Sequence, residues 1–343
     1  MGEHSEHANE CVDAIAALVS YVPQASAMLA ALQFDLFTAL EESPKDLREV
    51  CSAIRVADAS RAQLLLDCLV AAKLVQCQHG RYANTAVAST CLVRGRAHYL
   101  GALADNLAFQ WGNMLKTAES IRTGQPQGKI DWSQTSGGLE AFFRGLHPTA
   151  LLRARDLLQA SPVVDIFRAA ETVVDIGGGT GAFAIELVRA FPQLQVTIWE
   201  LPGAVPVARS FIEAEHLSER IAVESRNILE SDVEGRFDCA LLSAVIQVLD
   251  ADRASLAIRK AALAVHDGGK IVIAGHVLDD DRSGPTMVVG LNLYLANVLD
   301  FGQAYTEREH RAWLEEAGCI EVQRLVTGRF DGGGALIATK ARR

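Results

Sequence analysis

The sequence predicts a mixed α/β protein with a doubly wound, Rossmann-like parallel sheet in its C-terminal half and an all-α domain before it. From Thr172 onward, short β-branched runs alternate with helical patterns, which is typical of a parallel sheet with helices on both faces. Over residues 1–100, apolar residues recur at helical spacing instead. We therefore expect a helical domain (1–100), a helical linker (101–165) and an α/β domain (166–343).

The N-terminal region combines helices with one short hairpin. Amphipathic patterns predict a hairpin around His79-Gly80 and helices at 11–22, 25–40, 46–54 and 59–74. Three of these helices followed by the small hairpin form a winged-helix pattern. A nucleic-acid reader would need a basic recognition helix, but helix 59–74 has only Arg61 and Lys73 against Asp67. We therefore expect these apolar helices to form a homodimer and not to bind nucleic acid.

The linker carries aromatic and apolar side chains that suit either a core or a pocket. It is predicted to be helical apart from a break at 123–128, and it contains Trp111, Met114 and Phe143. Each residue alone fits ordinary core packing, whereas together they fit the lid of a small-molecule pocket. Both interpretations stay open at this point.

The C-terminal region alternates strands and helices. Strands are predicted at 172–176, 195–199, 221–224, 238–243, 270–275 and 334–339. Helices are predicted at 182–191, 203–214, 252–265 and 306–317. This order predicts a parallel sheet that is closed by an antiparallel end strand.

Composition argues against several classes of function. The formal net charge of −10 disfavours a general binder of phosphate backbones. The seven cysteines form no CxxC pair and no Cys/His metal spacing, so we expect reduced thiols, a cytoplasmic protein and no metal. The first ten residues have no signal-peptide core, and no uninterrupted apolar run reaches about 18 residues, so we expect no membrane span.

A glycine-rich turn after the first predicted strand of the α/β domain indicates a ligand site. Glycines 177, 178, 179 and 181 follow Asp175, without the P-loop Gly-Lys-Ser/Thr and without GxGxxG spacing. An acid beside the loop would repel a pyrophosphate but suits a cationic amino group. Glu200 ends the next strand, where a carboxylate binds a ribose diol. A ligand with a ribose, an amino group and no phosphate is S-adenosylmethionine, whose product is S-adenosylhomocysteine.

Five motifs then carry a resemblance to a known family. They are VVDIGGGTGAF (173–183), WELPGAV (199–205), ERIAVESRNIL (219–229), FDCALLSAVIQVLDADRA (237–254) and HDGGKIVIAGHVLDDD (266–281). Over nearly its whole length the chain resembles the small-molecule O-methyltransferases that include plant caffeate, bacterial polyketide and hydroxyindole enzymes. The resemblance implies a winged-helix dimerisation domain followed by a class I methyltransferase domain.

The resemblance also implies roles for individual residues around the cofactor. Those expected to line its methionine part are Asp175, Gly177 and Gly179, with Ser243 at a position that contacts its carboxylate. Those expected around its nucleoside are Glu200 for the ribose and Leu201, Asn227 and Ile228 for the adenine. Asn227 and Ile228 stand where the family usually has Asp-Met, and the Asn keeps a hydrogen-bonding side chain.

The chain departs from the family at the catalytic base. Gln247 aligns with the usual His, and a glutamine side chain cannot take up a proton at any relevant pH. The two acids that orient the His align with Gly275 and Ala304. The base and both of its orienting acids are replaced together, which suggests that this chain does not use the base-assisted mechanism.

Three interpretations follow from this departure. In the first, methyl goes to carbon, nitrogen or sulfur, and Gln247 orients the acceptor while alignment supplies most of the rate. In the second, the chain methylates the oxygen of an acidic phenol, or it uses another histidine, His147 or His276, as the base. His276 also fits a structural role, and His147 also fits a helix cap. In the third, it binds the cofactor but catalyses a different reaction or none. A transcription regulator would be such a protein, but the weakly basic 59–74 helix favours an enzyme.

The family draws its acceptor pocket from the linker helices and from the helix after the fifth strand. In this chain that helix spans 285–300 and carries Met287, Asn292 and Tyr294. Together with Trp111, Met114 and Phe143 they make a mainly apolar pocket, which suits a flat, fairly neutral aromatic or heterocyclic molecule. Asn292 fits an ordinary helix-surface position equally well.

Overall fold

The structure is a computed structural model that describes residues 2–96, 98–101, 104–129, 138–233, 235–327 and 333–342. It divides into two compact units, Met1–Ala108 and Phe109–Arg343. The mixed α/β class with a helical N-terminal region, predicted from the sequence, is confirmed.

The first unit is helical with one hairpin. Its helices are α1 (Gly2–Gln33), α2 (Leu36–Glu42), α3 (Leu47–Ala53), α4 (Ala59–Ala71) and α5 (Ala86–Cys91), and its strands are β1 (Val75–Gln78) and β2 (Arg81–Asn84). The helical ranges predicted at 11–22 and 25–40 are joined across Pro23, because α1 continues through that residue to Gln33. The chain turns instead at Asp35, which has φ 55° and starts α2, a left-handed conformation that Asp tolerates better than most residues.

Helix α1 exposes a long apolar surface. Val12, Ile15, Leu18, Val19 and Val22 are each more than 60% exposed. By length and composition alone, the segment Val12–Gln33 is long and apolar enough to cross a membrane. The segment passes this test although polar residues such as Asp13, Ser20 and Gln24 interrupt its apolar residues. An exposed apolar surface of this kind marks a site of interaction.

The second unit begins within α6 and contains the main sheet. Its helices are α6 (Ala104–Met114), α7 (Thr117–Thr123), α8 (Gly138–Leu157), α9 (Ser161–Ala169), α10 (Ala182–Ala190), α11 (Val205–Ala214), α12 (Ala251–Ala264), α13 (Thr286–Val298) and α14 (Glu307–Glu316). Its strands are β3 (Thr172–Ile176), β4 (Gln195–Glu200), β5 (Ile221–Ser225), β6 (Phe237–Ser243), β7 (Val265–Gly275), β8 (Val277–Leu278), β9 (Tyr305–Thr306), β10 (Cys319–Val326) and β11 (Gly334–Lys340).

The sheet order explains where the site forms. The seven strands run β10-β11-β7-β6-β3-β4-β5, with β3 to β7 parallel and β11 antiparallel to both of its neighbours. Strand β11 is therefore antiparallel as predicted, but it is not the end strand, because β10 pairs outside it. In the sheet, β4 and β5 lie on one side of β3. The chain then crosses to the other side of β3, where it forms β6. Ligands of such sheets bind at this switch point, at the carboxyl ends of the strands.

Candidate active site

The glycine-rich turn follows β3 at the switch point between β3 and β6. Gly177 and Gly179 have φ of +68° and +58°, a left-handed conformation that favours glycine. A Cβ at Gly177 would lie 2.9 Å from Cγ2 of Val245, so a side chain there would also clash. The turn thus presents bare backbone to a ligand, and α10 begins directly after it at Ala182.

Asp175 holds a buried carboxylate beneath this turn. It is fully buried, and its Oδ1 accepts a hydrogen bond from Oγ of Ser243 at 3.1 Å. Its Oδ2 is buried without a hydrogen-bond partner. The pKa of Asp175 is raised to about 7, mainly by burial and also by the nearby charge of Glu200, while the hydrogen bond from Ser243 acts in the opposite direction. Buried polar atoms are normally hydrogen-bonded. The cationic amino group of a ligand would donate such a hydrogen bond to Oδ2 of Asp175.

Glu200 ends β4 on the other side of the turn. Its carboxylate accepts hydrogen bonds from the backbone N–H of Gly179 at 2.8 Å and of Leu201 at 2.7 Å. Burial raises its pKa, while these two hydrogen bonds act in the opposite direction. A carboxylate has about four lone-pair positions, so two remain for the hydroxyl groups of a ribose. The arrangement fits the role predicted for Glu200.

The residues predicted around adenine lie at the neighbouring strand ends. The Arg226 N–H donates to the Glu200 carbonyl at 2.8 Å, which ties the turn after β5 to the end of β4. In that turn the Asn227 side chain accepts from the Leu229 N–H at 3.1 Å, and Ile228 is buried. Leu201 is 52% exposed and therefore has surface available to a flat ring.

Helix α8 packs against the glycine turn through two of the predicted residues. Nδ1 of His147 lies 2.7 Å from Oγ1 of Thr180, and its ring stacks on Phe211 with centroids 4.2 Å apart. A Cβ on Gly179 would lie 3.1 Å from the ring of Phe143. Burial lowers the pKa of His147 to about 4. At neutral pH this imidazole is therefore uncharged and a weak base.

Gln247 lies on the 3₁₀ turn Ile246–Val248 that follows β6, and it contacts His276. Both side chains are buried, and Nε2 of Gln247 lies 3.2 Å from Nδ1 of His276. Nε2 of His276 lies 3.3 Å from Nη2 of Arg153 on α8. Two of the three predicted catalytic residues are therefore in contact, whereas His147 bonds to Thr180 instead. Arg153 was missed, because no motif in the sequence marks it.

Of the two positions that lack the family's acids, Gly275 lies next to this turn. A Cβ on Gly275 would lie 3.1 Å from Oε1 of Gln247, so a side chain there would reach it directly. Ala304 is fully buried, and its backbone N–H and carbonyl both bond to the side-chain amide of Asn292. Asn292 therefore fixes the chain at Ala304 in this structure.

The remaining residues predicted to bind the acceptor lie on three helices of the second unit. Trp111 and Met114 lie on α6, Phe143 on α8, and Met287 and Tyr294 on α13. Met287 is 54% exposed, and burial raises the pKa of Tyr294 to about 12. Among the residues that the structure describes, Phe143 is the member of this set that reaches the glycine turn.

Comparison with known proteins identifies both parts of the chain. A family model of the O-methyltransferase domain matches residues 128–320, and a model of the O-methyltransferase dimerisation domain matches residues 18–94. The second match includes Leu18, Val19 and Val22 of the exposed surface of α1 and indicates a homodimer.

Individual relatives extend over most of the chain. A 3-hydroxy-5-methyl-1-naphthoate 3-O-methyltransferase of Streptomyces sahachiroi is 29% identical over 90% of this chain and 88% of its own. An L-tyrosine C(3)-methyltransferase of Streptomyces lavendulae is 22% identical over 91% and 88%. The crystal structure of the S-adenosylmethionine-dependent methyltransferase SibL has a TM-score of 0.79 at 29% identity and covers 95% of this chain and 99% of its own.

The same conclusion follows from the glycine turn between two buried acids, from the sheet order and from both domain matches. The chain belongs to the O-methyltransferase family of S-adenosylmethionine-dependent enzymes of secondary metabolism.

Proposed function

We propose that this enzyme methylates carbon, nitrogen or sulfur of a small aromatic or heterocyclic secondary metabolite without a histidine base. The observation that carries the proposal is the buried amide of Gln247, which contacts His276 and lies beside Gly275. By the resemblance to the family, this residue takes the place of the catalytic base. An amide orients an acceptor by hydrogen bonding and takes no proton.

The residues of the glycine turn and its flanking acids suit S-adenosylmethionine. The buried Oδ2 of Asp175 lacks a partner, and Glu200 retains lone pairs for a ribose after its two backbone hydrogen bonds. When bound, this cofactor supplies a methyl group on a sulfonium, and the carbon–sulfur bond breaks as the bond to the acceptor forms. We assign Leu201, Asn227 and Ile228 to the adenine and Gly177, Gly179 and Ser243 to the methionine part.

The absence of a base restricts the nucleophile. A ring nitrogen or a thiolate would attack a sulfonium methyl through a lone pair and needs no base. An aromatic or enol carbon would attack first and then lose its proton to water. Correct alignment of the reacting atoms in a closed site then supplies much of the rate, up to roughly 7–11 kcal/mol of the barrier in favourable cases. A relative that methylates a carbon of L-tyrosine supports this class of reaction.

O-methylation of an acidic phenol is the second candidate, and the naphthoate O-methyltransferase among the relatives favours it. A phenol that is already ionised at neutral pH needs no base. The two histidines suit the role of base less well, because His147 has a pKa of about 4 and bonds to Thr180, while His276 is engaged with Gln247 and Arg153.

We assign the acceptor to Trp111, Met114, Phe143, Met287, Asn292 and Tyr294. Their mainly apolar character suits a flat neutral molecule. We further propose that the homodimer acts in the cytoplasm, with neither nucleic acid nor membrane as a partner.

Product analysis with a defined panel tests the proposal. The purified protein is incubated with S-adenosylmethionine and a set of phenols, N-heterocycles, thiols and 2-oxo acids, and the methylated atom is located by mass spectrometry and NMR. We expect methyl on carbon, nitrogen or sulfur. Products on oxygen alone would favour the second candidate, and cofactor binding without product would overturn both. A Glu200→Gln enzyme is the control for background methylation.

A further inference from the structure

The turn that follows β5 is held in place by its neighbours. Residues 226–233 form neither helix nor strand. They begin at the carboxyl end of β5, where Ser225 pairs in parallel with Glu200 of β4. The Asn227 carbonyl accepts from the N–H groups of Glu230 and Ser231 at 3.1 and 2.9 Å. These bonds close a single helical turn, and an isolated turn of this length is unstable in water. Its position therefore depends on contacts with other elements.

Lys260 of α12 supplies one of these contacts. Its Nζ donates to the carbonyl of Leu229 at 3.1 Å and to the carbonyl of Ser231 at 2.7 Å. Within the described residues, Lys260 pairs with no carboxylate, so the two carbonyls are the partners of its charge there. Both bonds are partly buried, and hydrogen bonds with a charged donor are roughly twice as strong as those between neutral groups.

Helix α12 is a firm support for this lysine. The residues of α12 that face the core include Ala257, Ile258 and Ala261, which are buried in the same hydrophobic cluster as Ile228 of the turn. Close packing in such a core leaves the helix little freedom to shift. The ammonium of Lys260 therefore joins the turn to a fixed element.

The other end of the turn is attached to β4. The Arg226 N–H donates to the Glu200 carbonyl at 2.8 Å, and the Arg226 guanidinium lies over the ring of Trp199, 4.6 Å from its centroid. Asn227 and Ile228 thus lie between two attachments, Arg226 on one side and the carbonyls bound by Lys260 on the other.

We infer that Lys260 is a positioning residue for the cofactor, which acts on the adenine through the turn 227–231. The inference deepens the proposed function and rests on it for the assignment of Asn227 and Ile228 to the adenine. Without Lys260 the turn keeps its attachment at Arg226 and loses the other. The ligand must then order these residues when it binds, and such ordering lowers affinity.

Hydrogen exchange of the unliganded full-length protein, followed by mass spectrometry, tests the attachment. In Lys260→Met, which keeps the apolar stem, we expect exchange over residues 226–232 to be about tenfold faster, because the turn opens locally. Lys260→Arg keeps cationic donors and should restore slow exchange. Lys340→Met is the matched control, because Lys340 also donates to a backbone carbonyl, that of Val265 at 2.8 Å. Unchanged exchange in Lys260→Met would overturn the inference.

Binding of two ligands separates positioning from a merely structural role. Methylthioadenosine shares the adenine and ribose of S-adenosylhomocysteine but lacks the amino acid. In isothermal titration calorimetry we expect Lys260→Met to raise the Kd of both ligands by the same factor, about tenfold, and Lys260→Arg and Lys340→Met to stay within about threefold. Faster exchange with unchanged Kd values, or a rise for S-adenosylhomocysteine alone, would overturn the role of Lys260 in binding.

A reference variant and a ligand effect keep this inference distinct from the proposed function. Asp175→Asn should weaken S-adenosylhomocysteine but not methylthioadenosine, which has no ammonium group. Saturating S-adenosylhomocysteine should slow exchange over residues 226–232 in the unmodified protein. No slowing would overturn the assignment of the adenine to this turn. Slowing together with unchanged Kd values in Lys260→Met would overturn the role of Lys260 alone. None of these measurements uses an acceptor, so they do not depend on which atom receives the methyl group.

Discussion

The hydroxyl group of Ser243 donates to Oδ1 of Asp175 and so joins the carboxyl ends of β6 and β3 across the switch point of the sheet. The other oxygen of this carboxylate is buried without a partner, and burial raises the pKa of Asp175 to about 7. A ligand cation beside Oδ2 would favour the ionised form and lower this pKa. The protonation of one side chain is therefore linked to the cofactor site.

This linkage predicts a dependence of stability on pH. Asp175 has a higher pKa in the folded than in the unfolded protein, so its stabilising effect is complete below the unfolded pKa of about 4 and is lost as pH rises through about 7. We expect the melting temperature of the unliganded protein to fall more between pH 6 and pH 8 than that of Asp175→Asn, whose side chain does not titrate. Parallel melting curves, measured by calorimetry, would contradict this.

The same substitution should weaken cofactor binding. An amide at position 175 keeps the size of the carboxylate but offers no charge to an ammonium group. A charge-assisted hydrogen bond contributes about 1.5–3 kcal/mol, so we expect Asp175→Asn to raise the Kd for S-adenosylmethionine at least tenfold in isothermal titration calorimetry. Ser243→Ala should have a smaller effect because it leaves the charge in place.

Glu200 is expected to determine binding of the nucleoside. In Glu200→Gln the amide NH₂ faces one of the two backbone N–H groups that the carboxylate accepts, so both the turn and the ribose contact are weakened. We expect the Kd for S-adenosylhomocysteine to rise about 10- to 100-fold, as for the loss of one or two hydrogen bonds to a charged group. Glu224→Gln, on the neighbouring strand β5, is the control and should bind normally.

The residues proposed to bind the cofactor were predictable from the sequence, because they lie at the ends of strands that short sequence patterns mark. A buried strand that ends in an acid, followed by glycines and a helix, fixes the positions of Asp175 and the turn, and Glu200 ends the next strand. The contacts of His276 with Arg153 and Gln247 were not predictable. Arg153 and His276 are separated by 123 positions in the chain, and tertiary packing alone brings them together. Strand β10 was missed because a register shift between Ile320 and Gln323 interrupts its alternation.

Restoring a histidine alone should not restore a base. In Gln247→His, position 275 is still glycine and position 304 is still alanine, so neither of these positions supplies an acid that orients the ring or stabilises its charge. We expect phenol methylation to change less than about tenfold, whereas general base catalysis contributes about 10²–10⁴-fold. The double variant Gln247→His/Gly275→Asp should gain more, because a side chain at 275 reaches residue 247. A large gain from the single substitution, in initial rates with a phenol panel, would contradict the base-free interpretation.

The exposed surface of α1 should hold the homodimer together. Val19 and Val22 are each about two-thirds exposed and lie within the match to the dimerisation domain. Two aspartates at these positions would place charge in an apolar interface, so we expect Val19→Asp/Val22→Asp to be monomeric by light scattering. Leu115→Asp, which alters an exposed apolar residue outside that match, should remain dimeric.

His147 is expected to hold the glycine turn and not to act as a base. Its pKa of about 4 means that it stays uncharged above pH 5, so its effect on stability is complete above the ordinary histidine pKa of about 6.5 and is lost as pH falls through about 4. We expect His147→Gln, which keeps a hydrogen-bonding group for Thr180, to retain methyl transfer within about threefold between pH 6 and pH 9, measured with an acceptor from the panel. His147→Leu should weaken cofactor binding to the same extent as Thr180→Val, because both remove the contact between the imidazole and the hydroxyl group. A loss of about a hundredfold or more in His147→Gln, with cofactor binding intact, would instead make His147 the missing base.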